Sequence, residues 1–464
     1  MLQKGKKTRA FFLFFSFSLL SYLGILYWIP GIMINHGGVS PFLSILGLLL
    51  LAVFLSLFTG LAGIMVEKAL FKTPYSLYLI PLIWVGKDLV LEKILSGFPW
   101  ALAGYSQAKN LYFIQVAEFG GIHLITALVI MINIFLFQAL KDRRRQPLIA
   151  LLIAIVSLYS TGYFLVKAQA RTDRDLPVHR AGIIQPNYMH ELIYGEIKQQ
   201  KLDHLFALSR QLAAQGAEFV IWPEYTVPMF PLQNTHELSQ FRRFAAGYVP
   251  IIAGFDDYEE KDRFYNTAFV FAKEGVEKYH KVHLTPFGEY IPFRKFLFMV
   301  KSIVSEIGDF SFGKDIRPLT LNGHRVATPI CYEIIFPELV RAFIARGGEL
   351  IITISNDSWV GDTSSPAQIF YMAVFRAVEN RRYLLRATST GISALIAPGG
   401  EIIYRSAWAR EDRFTADFTY RQQKTVFTVC GYLFPYLCLA FLVFYFTLLP
   451  GLRQLSGKKK KISS

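Results

Sequence analysis

The sequence predicts an α-helical membrane bundle joined to an α/β sandwich that is inserted before the last transmembrane helix. Hydrophobic residues make up 53% of the 464 residues and charged residues only 18%, which is too apolar a balance for an ordinary soluble protein. From Pro177 to about Arg421, by contrast, short β-type runs alternate with helical ones. This alternation is typical of an α/β sandwich.

Six apolar stretches are long enough to cross a bilayer, which requires about 20 residues in helical form. They are Ala10–Ile29, Phe42–Met65, Tyr75–Leu91, Phe113–Leu140, Leu148–Val166 and Val426–Leu449. The third is the weakest because Lys87 and Asp88 interrupt it, and we count it as a span since these charges can pair or face the bundle interior. A signal peptide is an alternative for the first stretch, although no small-residue cleavage site precedes the next one.

The distribution of basic residues predicts the topology. Lys and Arg cluster at the N-terminus, at 68–72, at 141–145 and in the C-terminal tail, whereas loops 30–41 and 96–108 carry no charge. Because cytoplasmic loops are the basic ones, we expect an N-terminal membrane domain of about five helices (1–170), an extracytoplasmic catalytic domain (171–425) and a last helix with a basic cytoplasmic tail (426–464). The net charge of +15 therefore indicates a membrane surface and not nucleic acid.

The soluble domain contains several short runs that predict strands and two that predict helices. The strands are Val178–Gln185, Phe219–Trp222, Val249–Gly254, Thr267–Ala272, Arg325–Ile330 and Glu349–Ser355, with a hairpin of Ser393–Ala397 and Glu401–Tyr404. The helices are Glu191–Gln215 and Gln368–Glu379. Between Gly288 and Gly313 the chain is both aromatic and basic, and too short to span. We expect a partly helical flap at the membrane interface; a helix packed on its own domain is the alternative.

Three strand-like runs of this domain end on chemically reactive side chains, namely Glu224, Lys281 and Cys331. A thiol, a carboxylate and an ammonium at one sheet edge would serve as nucleophile, base and oxyanion stabiliser. Each residue alone is a weak signal, since a lone cysteine at a strand end is usually a small buried hydrophobe. Cys430 and Cys438 lie inside the last apolar stretch. Because neither a CxxC nor an HExxH spacing occurs, no metal site is predicted.

The context of the three residues resembles the nitrilase (carbon–nitrogen hydrolase) superfamily. The matching segments are Trp222-Pro-Glu, Lys281-Val-His-Leu-Thr-Pro-Phe-Gly-Glu, Cys331-Tyr-Glu and Asn356-Asp-Ser-Trp. The flanking spans, together with the segments at 96–100, 104–107, 286–292 and 376–388, resemble one branch of it, the apolipoprotein N-acyltransferases. This resemblance implies a nitrilase-like αββα sandwich. Two N-terminal spans that this branch usually has are not found, which leaves a mis-called start as an alternative.

The resemblance also implies a reaction and the residues that perform it. Cys331 would take an acyl chain from a phospholipid as a thioester, with Glu224 as base and Lys281 at the oxyanion. The acceptor would be the α-amino group of a diacylated apolipoprotein, at the periplasmic side of the bacterial inner membrane. Supporting residues would be Glu289 and Glu333, and substrate-binding residues would be Trp222, Tyr332 and Trp359. No cofactor is implied, and a monomer is expected.

Two other readings of the sequence remain open. A membrane-tethered nitrilase or amidase would use the same three residues to hydrolyse a small amide, although such a substrate needs neither the flanking spans nor an apolar, basic flap. A transporter or structural membrane protein with a non-catalytic domain is disfavoured because Glu224, Lys281 and Cys331 are all present.

Overall fold

The computed structural model describes residues 7–70, 74–142, 145–189, 195–260, 263–292 and 310–448. Most of the predicted flap and the basic C-terminal tail lie outside these residues, as do some of the basic residues used to predict the topology. The flap and tail therefore stay predictions.

The described residues of the N-terminal region form helices joined by loops. It comprises α1 (Lys7–Ile25), α2 (Ile29–Asn35), α3 (Pro41–Leu70), α4 (Ile80–Lys93), α5 (Ala117–Asp142) and α6 (Arg145–Arg174). Helix α5 contains a break at Gly120 and Gly121, where the backbone leaves helical geometry. Between α4 and α5, residues 94–116 form a loop with two short 3₁₀ turns. This loop, here called the outer loop (residues 94–116), lies against the soluble domain.

Four helical stretches within the described residues are long and apolar enough to cross a membrane: Lys7–Ile25, Pro41–Ala69, Phe113–Lys141 and Gln146–Arg174. The other two predicted spans are shorter helices. Tyr75–Leu91 becomes a 3₁₀ turn, Pro74–Leu79, followed by the 14 residues of α4, because Pro81 sets a new helix start. Within α4, Lys87 Nζ pairs with Asp88 Oδ1 at 2.5 Å, so the two charges neutralise each other as expected for a membrane helix.

The soluble domain is a sandwich of two six-stranded sheets. Its elements are β1 (His179–Gln185), α7 (Gly195–Ala214), β2 (Phe219–Glu224), α8 (Thr235–Gly247), β3 (Ile251–Glu260), β4 (Arg263–Ala272), β5 (Gly275–His280), β6 (Leu319–Leu321), β7 (His324–Ala327), α9 (Pro337–Ala345), β8 (Leu350–Ser355), α10 (Ser365–Asn380), β9 (Leu384–Thr388), β10 (Ala394–Ile396), β11 (Ile402–Arg405) and β12 (Asp412–Phe418). The chain then enters α11 (Val426–Cys430) and α12 (Leu433–Val443).

The strand order is β12-β1-β2-β3-β4-β5 in one sheet and β11-β10-β9-β8-β7-β6 in the other. Strands β1, β2 and β3 pair parallel in the first sheet, as β7, β8 and β9 do in the second, and the other pairings are antiparallel. Central strands that are buried on both faces have mostly apolar sequences without alternation, as in Leu350–Ser355, where all six residues are buried. Helices α7 and α8 cover the outer face of the first sheet, and α9 and α10 cover that of the second. The predicted αββα sandwich is confirmed.

The last apolar stretch is not one continuous helix. Gly431, with φ of +57°, separates α11 from α12, and the chain ends its described part in a π-helical turn, Phe444–Leu448. A positive φ is easily adopted only by glycine. The stretch therefore begins with a short helix packed on the soluble domain before the apolar helix Leu433–Thr447.

Buried polar contacts join the membrane helices to the sandwich. Helix α10 packs on α5, where the backbone N–H of Ile122, next to the helix break, donates to Glu379 Oε1 over 2.9 Å. Arg381 pairs with Glu118 at 2.6 Å. In the outer loop, Trp100 Nε1 donates to Gln368 Oε1 over 2.6 Å. Because hydrogen bonds to buried charges are costly to break, these contacts fix the sandwich against the outer loop.

Candidate active site

The three reactive residues predicted from the sequence lie at or just after the ends of strands from both sheets. Glu224 is the last residue of β2, and Lys281 directly follows β5 in the same sheet. Cys331 belongs to the facing sheet and follows Ile330, which forms a parallel bridge with Ile354 of β8. Since the two sheets pack face to face, with β2 against β8, the three side chains converge, and the charges of both Glu224 and Lys281 act on the Cys331 thiol.

Cys331 stands on a strained turn. Its φ is +49°, and it opens a 3₁₀ helix, Cys331–Ile335. A non-glycine residue rarely adopts this conformation, and where one does the surrounding structure must hold it. Burial raises the pKa of the Cys331 thiol and the Glu224 carboxylate raises it further, whereas Lys281 lowers it. The resting side chain is therefore a thiol, and it needs a base before it can act as a nucleophile.

Lys281 is held as a buried cation. Its side chain is 1% exposed, and its Nζ lies 2.9 Å from Glu289 Oε1 and 3.4 Å from Glu224 Oε1. Burial by itself would lower the pKa of Lys281, but the two carboxylates raise it above its ordinary value. The ammonium therefore keeps its charge, which is what stabilisation of an oxyanion requires.

Asn266 of β4 is a site residue that the sequence does not reveal. Its Nδ2 donates to Glu224 Oε1 and to Glu289 Oε1, each over 2.6 Å. The other oxygen of Glu224 accepts the backbone N–H of Asn356 over 2.9 Å. Both oxygens of the base are thus fixed. The only available signal was an amide inside an otherwise apolar strand, which is too common to be informative alone.

Glu289 lies where the sequence places it, beside the ammonium. Its second oxygen accepts the backbone N–H of Thr285 over 2.7 Å, so the Pro-Phe-Gly turn folds back on itself as expected. A further carboxyl, Asp256 of β3, faces the same region. Burial raises the pKa of Asp256 to about 7, and the charges of Glu224 and Glu289 add to this. The site thus concentrates carboxyl groups around one ammonium.

Glu333 is held by hydrogen bonds at both of its carboxylate oxygens. Glu333 is fully buried. Its Oε1 accepts hydrogen bonds from the Tyr279 hydroxyl over 2.8 Å and from the backbone N–H groups of Val282 and His283 over 2.7 and 3.0 Å. Its Oε2 accepts the backbone N–H of Ile330 over 2.8 Å. Because both oxygens are occupied, Glu333 is not free to orient a substrate amine. It ties the segment that carries Lys281 to the turn that carries Cys331.

Trp222 does not line the pocket, contrary to prediction. It is fully buried on the outer face of β2, where its Nε1 donates to Ser209 Oγ of α7 over 2.8 Å and its ring packs against Phe206 and Phe241. The pairing of β2 with β3 shifts between Ile221 and Glu224. This irregularity breaks the alternation of faces, so Glu224 reaches the site while Trp222 faces the helices.

Tyr332 and Trp359 connect the site to the membrane region. The Tyr332 ring lies nearly parallel to that of Trp100 in the outer loop, with centroids 6.5 Å apart. The Trp359 ring contacts His36, just after α2, at 5.1 Å. Tyr332 and Trp359 therefore lie between the site and the loops that join the N-terminal helices.

Of the two histidines near Lys281, His280 pairs with Asp257 and His283 packs against the Phe336 ring. His280 Nε2 lies 3.0 Å from Asp257 Oδ2, away from the site. Burial lowers the pKa of His283 to about 4. Asp257, Glu259 and His280 have the spacing of metal ligands, but Lys278 Nζ already lies 2.8 and 2.9 Å from the two carboxylates. A cation of the protein itself thus satisfies that cluster.

The sandwich and its Glu-Lys-Cys edge define a carbon–nitrogen hydrolase domain. The family model for "Carbon-nitrogen hydrolase" matches residues 180–423, and that for "Apolipoprotein N-acyltransferase N-terminal domain" matches 1–135. The chain belongs to the apolipoprotein N-acyltransferase family.

Relatives of known family support this assignment. The chain is 30% identical to the apolipoprotein N-acyltransferase of Geobacter metallireducens, over 95% of this chain and 87% of that protein. It is also 30% identical to the one of Aquifex aeolicus, over 84% and 86%. Among solved structures, an amidase from Nesterenkonia sp. matches at 21% identity and a TM-score of 0.40, covering 53% of this chain and 91% of that one.

Proposed function

We propose that this protein moves a fatty acyl chain from a membrane phospholipid, through a thioester on Cys331, to the α-amino group of a diacylated apolipoprotein. Membership of the family supports the acceptor and the overall reaction. The observation that carries the chemistry is the convergence of a thiol, a base fixed at both oxygens and a buried ammonium. The donor and the role of each residue are our assignments.

In the first half-reaction, Glu224 accepts the thiol proton while the Cys331 sulfur attacks the ester carbonyl of the phospholipid. The carbonyl oxygen becomes an oxyanion, which the Lys281 ammonium stabilises; a preorganised donor of this kind is worth about 3–4 kcal/mol. Collapse of this intermediate breaks the ester C–O bond. The leaving alkoxide takes the proton from Glu224 and departs as the lysophospholipid hydroxyl, and the acyl group stays on the sulfur.

In the second half-reaction, the amine nitrogen attacks the thioester carbonyl, and Lys281 again stabilises the oxyanion. Glu224 accepts a proton from the nitrogen. The C–S bond breaks, and the sulfur recovers the proton from Glu224 as the amide is released. Because the same base gives back each proton that it takes, both halves balance with no cofactor. A thioester can persist between them if water is kept out.

The surroundings of Cys331 suit a lipid donor. Tyr332 lies against the aromatic outer loop, and Trp359 lies against the segment after α2. We propose accordingly that the protein is a multi-pass protein of the bacterial inner membrane with its catalytic domain on the periplasmic side. The boundaries proposed are 1–170, 171–425 and 426–464, and the working unit is a monomer. The alternation of basic and uncharged loops supports this orientation.

Acyl labelling tests the proposal. The purified protein is incubated with a phospholipid that is labelled in its acyl chain, and the label on the Cys331 peptide is tested for release by hydroxylamine. Addition of a diacylated lipopeptide should then move the label to its amine. Cys331→Ser should lose all thioester label, whereas the matched variant Cys438→Ser, which changes a buried cysteine of α12, should keep it. Absence of label on Cys331 of the wild-type protein would reject the thioester route. Cleavage of a small amide to its free acid and amine, without transfer to the lipopeptide, would point to an amidase.

A further inference from the structure

A buried polar chain lies behind the nucleophile and takes no part in the reaction described above. It consists of Ser355 at the end of β8, Asp357 two residues later and Arg386 of β9. All three side chains are buried; Ser355 and Arg386 are 0% exposed and Asp357 is 4% exposed. A buried carboxylate and a buried guanidinium are costly unless they are well paired. Their position next to Cys331 therefore calls for an explanation.

The hydrogen bonds run from Ser355, next to the nucleophile, to Asp357 and Arg386. Ser355 follows Ile354 and Cys331 follows Ile330, so the bridge between the two isoleucines brings Ser355 next to Cys331, and the Ser355 hydroxyl lowers the pKa of the Cys331 thiol. Ser355 Oγ donates to Asp357 Oδ1 over 2.5 Å. Arg386 Nη2 in turn donates to Asp357 Oδ2 over 3.0 Å.

The same short segment also holds the base. Asn356 lies between Ser355 and Asp357, and its backbone N–H donates to Glu224 Oε2 over 2.9 Å. Any displacement of Asp357 would therefore move both a contact of the nucleophile and a contact of the base. Gly391 presses on this carboxylate so closely that an added Cβ would lie 1.9 Å from Asp357 Oδ2.

A serine hydroxyl has one proton to donate, and here two groups compete for it. While Cys331 is a thiol, the Asp357 carboxylate is the stronger acceptor, as the 2.5 Å contact shows. Once Glu224 has taken the thiol proton, the sulfur is an anion and becomes a second charged acceptor. Rotation about one side-chain bond is enough to turn the hydroxyl from the carboxylate to the sulfur.

We propose that Ser355 is a positioning residue for the nucleophile, whose hydroxyl turns from Asp357 to the Cys331 sulfur when the thiol proton leaves, while Arg386 keeps Asp357 paired. No covalent bond changes in this step, and the thiol proton is on Glu224. The inference rests on the proposed function, because it takes Cys331 to be the nucleophile. It adds that the segment 355–357 stabilises the thiolate and aligns the base at the same time.

The charged groups that face Cys331 set the expected signs. Glu224 at the end of β2 and Asp357 after β8 both raise the pKa of the thiol, after burial, whereas Lys281 after β5 and the Ser355 hydroxyl lower it. Ser355→Ala should therefore make the thiolate harder to form. Asp357→Asn should make it easier to form, because the substitution removes a negative charge that faces the sulfur and leaves Arg386 unopposed.

The test measures the rate at which iodoacetamide alkylates Cys331 in the full-length protein, from neutral to alkaline pH, by mass spectrometry of the Cys331 peptide. This readout does not require acyl transfer. At neutral pH, Ser355→Ala should slow alkylation by about 10- to 100-fold, the value of one hydrogen bond to a charged group, and move the midpoint of the profile to higher pH. Asp357→Asn should move the midpoint to lower pH, and Ser355→Thr, which keeps the hydroxyl, should restore most of the wild-type rate.

The matched control is Thr353→Val on the same strand. Thr353 is also fully buried, and its hydroxyl has no hydrogen-bond partner among the described residues. This variant should leave the profile unchanged. The inference is overturned if folded Ser355→Ala alkylates like the wild type, or if Ser355→Ala and Asp357→Asn shift the midpoint in the same direction, since a packing defect would do that. If the midpoints shift as expected but no phospholipid label reaches Cys331, the inference stands and the proposed function fails.

Discussion

Replacement of Lys281 by methionine removes the one ammonium that the site holds between two carboxylates while keeping the length of the side chain. In the wild-type protein, Lys281 Nζ lies 2.9 Å from Glu289 and 3.4 Å from Glu224. The variant leaves both carboxylates buried with Asn266 as their shared side-chain donor. It also removes the positive charge that lowers the pKa of the Cys331 thiol.

The expected losses follow from these contacts. Removal of an oxyanion donor costs about 3–4 kcal/mol of transition-state stabilisation, so acylation of Cys331 should slow by about 100- to 1,000-fold. Breaking a buried ion pair costs about 3–5 kcal/mol of stability, which corresponds to roughly 10 °C in Tm for a domain of this size. Since the pKa of Lys281 is raised above 10.5, its stabilising effect is fully present at neutral pH and disappears only at higher pH.

Lys278→Met is the matched control. Lys278 also bridges two carboxylates, Asp257 at 2.8 Å and Glu259 at 2.9 Å, but it lies away from the site and its side chain is 28% exposed. Lys278→Met should lower Tm by less than Lys281→Met does, and it should leave the acylation rate unchanged. Single-turnover transfer of a labelled acyl chain and thermal unfolding in detergent measure the two effects. If Lys281→Met acylates within a fewfold of the wild-type rate, or if Lys278→Met slows acylation equally, the assignment of Lys281 is refuted.

Three further outcomes are expected. Asn266→Ala removes the donor shared by the base and its neighbouring carboxylate and should slow acylation at least 10-fold in the single-turnover assay; an unchanged rate would show that the base is aligned without it. Trp222→Phe should cost about 1 kcal/mol of stability, because the hydrogen bond to Ser209 is lost, and it should leave acyl transfer unchanged. A changed KM for the lipid would show instead that Trp222 contacts the substrate. Burial would raise the pKa of Asp257, but hydrogen bonds from His280 and its other donors lower it to about 2. Asp257 should therefore stabilise the fold above about pH 4, and this stabilisation should be lost as the pH falls through 2. In Asp257→Asn, this part of the acid unfolding curve should disappear.

Motifs and periodicity in the sequence predict the α/β sandwich, which is confirmed, and they single out Glu224, Lys281 and Cys331, whose catalytic roles stay a proposal. Glu224, Lys281 and Cys331 each close a local run of β-type residues, and the end of a strand can be read from its own neighbours. The hairpin over Pro398-Gly-Gly and the helix α10 follow equally local patterns. The predicted positions of strands β1, β3, β4 and β8 agree with the structure to within a few residues, except that β3 continues to Glu260.

The two shortened spans show where local reasoning stops. Hydropathy measures how apolar a stretch is, and it does not register a backbone break. Pro81 and Gly431 divide two apolar stretches into shorter helices, although neither residue changes the average hydropathy much. Strand β9 shows the reverse case, because Arg386 interrupts its apolar pattern and the charge is neutralised only by a partner far along the chain.

The sequence alone determined where these strands end and which side chains stand at their ends, because these features depend on neighbours in sequence. Only the tertiary structure decided which buried polar groups meet. The irregular pairing of β2 turns Trp222 toward the outer helices, and hydrogen bonds occupy the Glu333 carboxylate. The fold also places Asn266 beside Glu224 and Ser355 beside Cys331. Buried hydrogen bonds join residues that are far apart in the chain, so their partners are set by packing and not by any local pattern.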